Sequence, residues 1–158
     1  MDNAFQIRFA TVDDASLIVR QRRVMFEEIR DFDPARLDAM DANYNVWVTD
    51  LLSSGNYVGW FVINEAQEVV AGAGLWIQRL MPNPREASGY RGHVVNVYTE
   101  PDYRHRGLAR QLMVTLTDWA KAHGITSLTL NASDYGRPLY ESLGFEQDNH
   151  MIKSLLDN

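Results

Sequence analysis

One short segment, residues 104–109 (Arg-His-Arg-Gly-Leu-Ala), could bind the phosphate groups of a ligand. A strand pattern ends near Thr99 and a helical pattern begins near Gly107. The free N–H groups of a first helical turn, together with the helix dipole, favour an anion at this place. Gly107 has no side chain to keep a phosphate away, and three residues add positive charge: Arg104, Arg106 and Arg110. A plain strand-to-helix turn with solvated arginines explains these residues equally well.

A second segment with possible chemistry is residues 138–145 (Pro-Leu-Tyr-Glu-Ser-Leu-Gly-Phe). Pro138 suits the first position of a short helix, and Gly144 suits its end. The hydroxyl of Tyr140, within this helix, could donate a proton to a leaving group. The alternative is a core tyrosine whose hydroxyl has a protein partner.

The composition limits the classes of function. The chain has 158 residues, no cysteine and a formal net charge of −6. This length predicts one domain over residues 1–158, and the lack of cysteine excludes disulfides and a cysteine nucleophile. An acidic surface repels phosphate backbones, so we expect no nucleic acid partner, and RNA acylation is disfavoured. With no signal peptide and no apolar span, the sequence predicts a cytoplasmic protein without membrane contact.

The elements that must position these segments follow from the apolar spacing. Strands are predicted at residues 6–10, 57–63, 68–78, 93–99 and 127–131. Helices are predicted from a capped start at Thr11 to Ile29, over part of residues 35–53, at 107–122, and near Pro138. Phe145 and residues 151–153 are predicted to form a last hairpin. This order predicts an α+β domain whose mixed sheet is largely antiparallel and flanked by helices.

These segments together resemble the GNAT N-acetyltransferase superfamily. Arg104-x-x-Gly107-x-Ala109 after a fourth strand is similar to its acetyl-CoA motif, and the Tyr140 helix ending in Leu-Gly-Phe is similar to its second signature. The resemblance covers nearly the whole chain and its element order. It implies an N-acetyltransferase that moves the acetyl group of acetyl-CoA directly to a primary amine, of a small molecule or of a protein.

The resemblance also implies the residues that bind acetyl-CoA. Backbone groups of Val97, Tyr98 and Thr99 would pair with the pantetheine arm, and Asn131, with Ser133 as a further candidate, would bond the pantetheine or a water. The pyrophosphate would be bound by backbone amides of His105, Arg106, Gly107, Leu108 and Ala109, with Arg110 as a further candidate. Arg104, at the start of the segment, belongs to the same cofactor-binding set. No metal is expected, because the four histidines lack metal-ligand spacing.

The resemblance implies that Tyr140 is the general acid, but the base stays open. Many relatives carry an acid on strand four at or beside the positions of Val95 and Asn96, and this chain has none there. His93 lies two residues before Val95, on the same strand face, and is the first candidate. Three acids are weaker candidates: Glu27, Glu28 and Asp33. Arg22, within an otherwise apolar helix stripe, either packs its stem or faces a substrate cleft.

Two further expectations concern the kind of protein. The missing strand-four acid leaves open a different class, a CoA-binding module that senses or regulates without transferring. Edge-strand pairing in this family often forms dimers, which implies a homodimer. The acceptor is expected to bind on variable loops, at about residues 27–45 and 79–92.

Overall fold

The sheet and its helices occupy the part of the chain that this computed structural model describes, residues 4–156. The strands are β1 Gln6–Phe9, β2 Tyr57–Ile63, β3 Val69–Arg79, β4 Tyr90–Thr99 and β5 Leu128–Leu130. The helices are α1 Ala15–Ile29, α2 Pro34–Ser54, α3 Leu108–Ala122 and α4 Arg137–Ser142. Short 3₁₀ turns, Val12–Asp14 and Pro101–Tyr103, precede α1 and α3.

The five strands form one sheet in sequence order. The pairs β1–β2, β2–β3 and β3–β4 are antiparallel, whereas β4 and β5 are parallel. A parallel neighbour needs a crossover, and α3 supplies it. The predicted α+β class with a largely antiparallel sheet is therefore confirmed.

Each face of the sheet buries its own apolar core. Alternate residues of β2 point to opposite faces, so Trp60 and Val62 join one core while Tyr57 and Phe61 join the other. The first core packs against α3 through residues at helical spacing: Leu108, Leu112, Met113, Leu116 and Ala120. The second core lies under α1 and α2. Both faces are thus covered.

The first two helices are held together by ion pairs. The Arg23 guanidinium of α1 lies 2.8 Å from Asp38 and 2.7 Å from Asp41, both on α2, and 2.7 Å from Glu27 on its own helix. Asp33 begins α2 by accepting a hydrogen bond from the Ala35 N–H at 3.0 Å. These contacts fix the α1–α2 pair as one wall beside the end of β4.

The strand predictions need two adjustments. β4 begins at Tyr90, three residues before the predicted start, because residues 90–92 pair with residues 77–79 of β3. β5 ends at Leu130, because only Leu128, Thr129 and Leu130 pair with β4. The two strands separate beyond this point.

The predicted last hairpin was wrong for the described residues. Residues 145–156 form no strand. The Phe145 N–H instead donates to the Tyr140 carbonyl at 3.0 Å, which closes α4, and the Phe145 ring packs against the Tyr140 ring. The following residues 146–150 (Glu-Gln-Asp-Asn-His) are polar and lack the apolar alternation that a buried strand needs.

No helix of residues 4–156 is both long and apolar enough to cross a bilayer.

Candidate functional site

A cleft of about 1770 Å³ opens where β4 and β5 separate. Strand ends, α1, α2, the start of α3 and α4 all contribute to its lining. Beyond Val94, β4 continues to Thr99 without β5 beside it, so the backbone of Val95–Thr99 has one edge without a strand partner. Unpaired strand edges bind extended ligands through main-chain hydrogen bonds. This edge can therefore accept an extended chain.

A bulge at Asn96 bends β4 where the cleft begins. The register between β3 and β4 shifts between Gly72 and Gly74, and Asn96 has a positive φ of 57°. Asparagine tolerates this left-handed conformation better than most residues, and a bulge bends its strand. Asn96 thus has a backbone role at the bulge of β4, beside the point where the pairing with β5 ends.

The segment between β4 and α3 contributes His105 and Gly107 to the lining of the cleft. His105 and Gly107 both have left-handed backbone, with φ of 62° and 77°. No backbone hydrogen bond among residues 4–156 uses the N–H groups of His105, Arg106 or Gly107. The N–H groups of the first turn of α3 have no partner within the helix. Successive free N–H groups of this kind form an anion-binding concavity.

The side chains of the three arginines around this segment have other partners. Arg104 donates from Nε to the Thr99 carbonyl at 2.9 Å and from Nη2 to both Glu28 oxygens at 2.8 Å. Arg106 donates to the Asp102 carbonyl, and Arg110 to the Ser142 hydroxyl. Arg104 therefore clamps the loop to the strand end and to α1, while the backbone stays free for the anion.

Tyr140 lines the cleft from α4. Its ring packs edge-on against Phe145 at 6.0 Å, and its hydroxyl has no hydrogen-bond partner among the described residues. Burial raises the pKa of Tyr140 above its ordinary value of 10. The hydroxyl consequently stays protonated at neutral pH and can donate a proton into the cleft.

His93 lines the same cleft from β4. Its Nδ1 lies 2.7 Å from the Thr129 hydroxyl on β5, which fixes the orientation of the ring. Burial lowers the pKa of His93 below 6.5, and the positive charges of Arg91 and Arg22 lower it further. A neutral imidazole at pH 7 can accept a proton.

The weaker candidates for a base are engaged elsewhere. Glu28 pairs with Arg104, Glu27 pairs with Arg23, and Asp33 caps α2. Of these three acids only Glu28 lines the cleft. Asn131 also lines the cleft, at the end of β5, while the Ser133 hydroxyl accepts a hydrogen bond from the Gly136 N–H at 3.1 Å.

The other half of the cleft is lined by aromatic side chains around Arg22. We call this set the aromatic pocket: Arg22, Phe26, Tyr44, Trp47, Trp76 and His93. The sequence had singled out only Arg22 and His93 among them. The rings of this pocket contact one another in a row, with centroids 5.1 Å apart for Tyr44–Trp47, 5.0 Å for Trp47–Trp76 and 6.2 Å for Trp76–His93. The i, i+3 spacing of Tyr44 and Trp47 on α2 was the available signal.

Buried hydrogen bonds hold the floor of this pocket. The Asn96 amide donates to the hydroxyls of Tyr44 at 2.8 Å and Tyr57 at 3.0 Å, and its oxygen accepts from Arg22 at 3.0 Å. Gly74 makes this possible, since a Cβ there would lie only 2.0 Å from the Tyr57 hydroxyl. The glycines of β3 thus serve close packing under the site.

Within residues 4–156, no three His, Cys, Asp or Glu side chains are grouped so that they could hold a metal ion. Side chains that can take part in chemistry within the cleft include the Tyr140 hydroxyl, the His93 imidazole and the Arg22 guanidinium.

Comparisons with known proteins agree with this geometry. The Acetyltransferase (GNAT) family matches residues 22–145. A GCN5-related N-acetyltransferase from Ralstonia eutropha is 31% identical, with a TM-score of 0.89 over 96% of this chain and 98% of that one. A predicted acetyltransferase from Clostridium acetobutylicum, solved with acetyl-CoA, is 26% identical, with a TM-score of 0.85 over 95% of each chain.

A curated relative matches a shorter region. Glucosamine 6-phosphate N-acetyltransferase of Trypanosoma brucei brucei is 32% identical over 76 residues, which are 47% of this chain and 52% of the relative. The chain thus matches about half the length of this relative. The family match covers most of the described residues, including the loop before α3 and the Tyr140 helix. This chain belongs to the acetyltransferase (GNAT) family, whose enzymes transfer acetyl groups from acetyl-CoA.

Proposed function

We propose that this protein transfers the acetyl group of acetyl-CoA directly to a primary amine within the cleft. The observation that carries the proposal is the row of free N–H groups at residues 105–107 and the start of α3, beside the unpaired edge of β4. The row suits a pyrophosphate, and the strand edge suits the amide-bearing pantetheine arm. Acetyl-CoA supplies an acetyl thioester whose sulfur leaves as a thiolate.

In this proposal Val97, Tyr98 and Thr99 bind the pantetheine arm through their backbone, and Asn131 faces it from the end of β5. The Thr99 carbonyl already accepts from Arg104, so Thr99 contributes less than its neighbours. The pyrophosphate-binding group consists of the backbone N–H groups of His105, Arg106, Gly107, Leu108, Ala109 and Arg110. Arg104 acts through its clamp on Thr99 and Glu28 rather than by touching phosphate.

Two side chains move protons in the proposed reaction. Tyr140 donates a proton or a hydrogen bond to the departing thiolate, because its hydroxyl lines the cleft without a protein partner and is protonated at neutral pH, as any tyrosine is whose pKa is not lowered. His93 accepts the proton of the amine, directly or through a water, because its lowered pKa keeps the ring neutral. Thr129 fixes one ring nitrogen, which leaves the other for this task. The reaction then needs no carboxylate on β4.

A pH profile tests the role of His93. A base with a pKa below 6.5 loses activity only as the pH falls below that value, since protonation removes its free lone pair. We therefore expect kcat, measured at saturating donor and amine, to decline below pH 6.5. The His93→Gln variant is expected to lose this decline and to have a lower plateau, by about 10²-fold or more.

Thr129→Val serves as the control for His93. It removes the hydroxyl partner without removing the ring, so the acid-side decline should persist while its midpoint shifts. A decline that persists unchanged in His93→Gln would remove His93 from the mechanism.

We also infer that two copies of the chain associate, as the resemblance implied. Residues 146–156 carry exposed apolar side chains, Met151 at 91%, Ile152 at 91% and Leu155 at 86%. The outer edge of β5 has no strand partner among residues 4–156. Water disfavours the exposed apolar side chains, and the strand edge can pair with another strand, so a second copy of the chain can cover both.

Light scattering on a sizing column tests this association. We expect a dimer for the full chain and a monomer for a chain that ends at Glu146. Ile152→Lys with Leu155→Lys should also give a monomer, whereas Val46→Lys, at an exposed apolar residue of α2, should stay dimeric. A monomeric full chain at micromolar concentration would contradict the inference. The cytoplasmic location stays a prediction from the sequence.

A further inference from the structure

The aromatic pocket contains a cation without a counter-ion, the Arg22 guanidinium. No carboxylate of residues 4–156 lies within 4 Å of the Arg22 guanidinium, whereas Arg104, the other half-buried arginine of the cleft, is paired with Glu28. Arg22 is half-buried, and its Nε is fully covered without a hydrogen-bond partner. A guanidinium held away from water gains from an anionic partner more than an exposed one does.

The guanidinium is held in a fixed position. Nη1 donates to the Asn96 oxygen, and the group stacks over the Tyr44 ring at 4.5 Å and the Phe26 ring at 5.1 Å. Asn96 is uncharged, and its amide donates to Tyr44 and Tyr57, so its contact with Arg22 leaves the guanidinium charge uncompensated. Nη2 forms no hydrogen bond with a described residue and remains for a ligand. The arrangement is a preorganised cationic group rather than a packed surface arginine.

The rest of the aromatic pocket is apolar. Phe26, Tyr44, Trp47 and Trp76 provide ring faces and edges, and none of the residues that make up this pocket is acidic. Such a wall holds an aromatic or branched apolar group through burial of surface. It offers no carboxylate for a second ammonium group, so polyamines and aminoglycosides are poorly matched to it.

We propose that the acceptor is a primary amine that carries both a carboxylate and an apolar group, the chemistry of an apolar α-amino acid. Arg22 binds the carboxylate, the rings of the aromatic pocket hold the side chain, and the amine then lies beside His93. This rests on the proposed transfer reaction and names its substrate class. Arg22 is a specificity-determining residue and takes no part in the proton transfers.

Matched amines test the proposal. Phenylalanine and 2-phenylethylamine differ only in the carboxylate, and release of CoA thiol reports transfer to each. We expect phenylalanine to have the higher kcat/KM, by at least about tenfold, as one charge-assisted hydrogen bond is gained. Arg22→Met should remove this preference, because KM rises for phenylalanine and not for 2-phenylethylamine, while any effect through the pKa of His93 is common to both amines. Arg22→Lys should restore part of the preference.

Arg20→Met is the matched control, since Arg20 lies on the same helix and pairs with Glu100 outside the cleft. Arg20→Met should prefer phenylalanine to 2-phenylethylamine by the same factor in kcat/KM as the unchanged protein. Equal use of the two amines, or a preference that survives Arg22→Met, would overturn the carboxylate assignment while leaving acetyl transfer intact. Faster transfer to glucosamine 6-phosphate than to phenylalanine would overturn the proposal that the acceptor carries an apolar group.

Binding of the acetylated product tests the Arg22 subsite independently of the transfer reaction. Calorimetry with N-acetylphenylalanine needs no turnover. Saturable binding that Arg22→Met weakens at least about tenfold would support the subsite even if no amine were acetylated. Undetectable binding to the unchanged protein at millimolar concentration, together with equal use of the two amines, would overturn it.

Discussion

Replacing Gly107 with aspartate is expected to raise the Kd of acetyl-CoA by at least about 100-fold, the equivalent of one or two charge-assisted hydrogen bonds. A Cβ at Gly107 would project into open space, with no atom within 4 Å, at the place where a phosphate would lie. A carboxylate there would repel the phosphate. Aspartate tolerates the positive φ of 77° better than most residues, so the fold should persist.

The same helix provides a control for Gly107. Gly124, just beyond the C-terminal end of α3, has a φ of 76°, and a Cβ added there would also meet open space. Gly124→Asp therefore imposes the same backbone cost without reaching the cleft, and its Kd should be unchanged. Gly107→Asn adds a side chain of similar size without the charge. Its Kd for acetyl-CoA should lie between those of Gly107→Asp and Gly124→Asp.

Isothermal titration with acetyl-CoA measures all three variants. Salt dependence is a second readout. The rise in the Kd of acetyl-CoA caused by Gly107→Asp should be larger at low salt, because repulsion between like charges is screened as salt rises. Wild-type affinity in Gly107→Asp would show that the pyrophosphate lies elsewhere.

Removing the Tyr140 hydroxyl is expected to have the second large effect. Tyr140→Phe keeps the ring packed against Phe145 and deletes only the proposed proton donor. General acids contribute about 10²–10⁴-fold to a rate, so kcat should fall by at least about 100-fold while the Kd of acetyl-CoA stays within about twofold. Stopped assays of thiol release with a saturating amine measure the change.

Tyr135→Phe is the matched variant for this test. Tyr135 lines the same cleft and is 72% exposed, yet it has no proposed role in proton transfer. Its kcat should be close to that of the unchanged protein. If Tyr140→Phe also retained its kcat, water would be the source of the proton and Tyr140 a packing residue.

The elements that could be predicted from the sequence are those with a strong local signal. α3 has a regular apolar stripe, and left-handed glycines stand just before and just beyond it, at Gly107 and Gly124. β2 is an uninterrupted apolar run bounded by turn residues. These elements and the loop between β4 and α3 lie close to where the sequence placed them.

The parts that could not be predicted depend on contacts between distant residues. The pairing of β4 with β5 ends at Val94, just before the bulge at Asn96, and a single asparagine in a strand pattern does not indicate a bulge. The aromatic pocket joins residues of α1, α2, β3 and β4, which no local period connects. The last hairpin failed because Phe145 closes α4 instead of starting a strand.

The roles of the arginines also required the structure. From the sequence, the three basic residues near Gly107 were expected to add positive charge beside the phosphate-binding backbone. Arg104 instead pairs with Glu28, 76 positions earlier in the chain. The anion site at this segment stays a prediction, as does its binding through backbone N–H groups. The sequence did not show that the arginine side chains have partners within the protein, such as Thr99 and Glu28 for Arg104.

The central claim, direct acetyl transfer to an amine, is tested most directly by measuring both products together. The protein is incubated with acetyl-CoA and a panel of primary amines, and CoA thiol and acetylated amine are quantified by mass spectrometry. We expect equal amounts of CoA thiol and acetylated amine, and thiol release that requires an amine. We expect Tyr140→Phe to lose both products. Tight binding of acetyl-CoA with no amine-dependent release across the panel would contradict it.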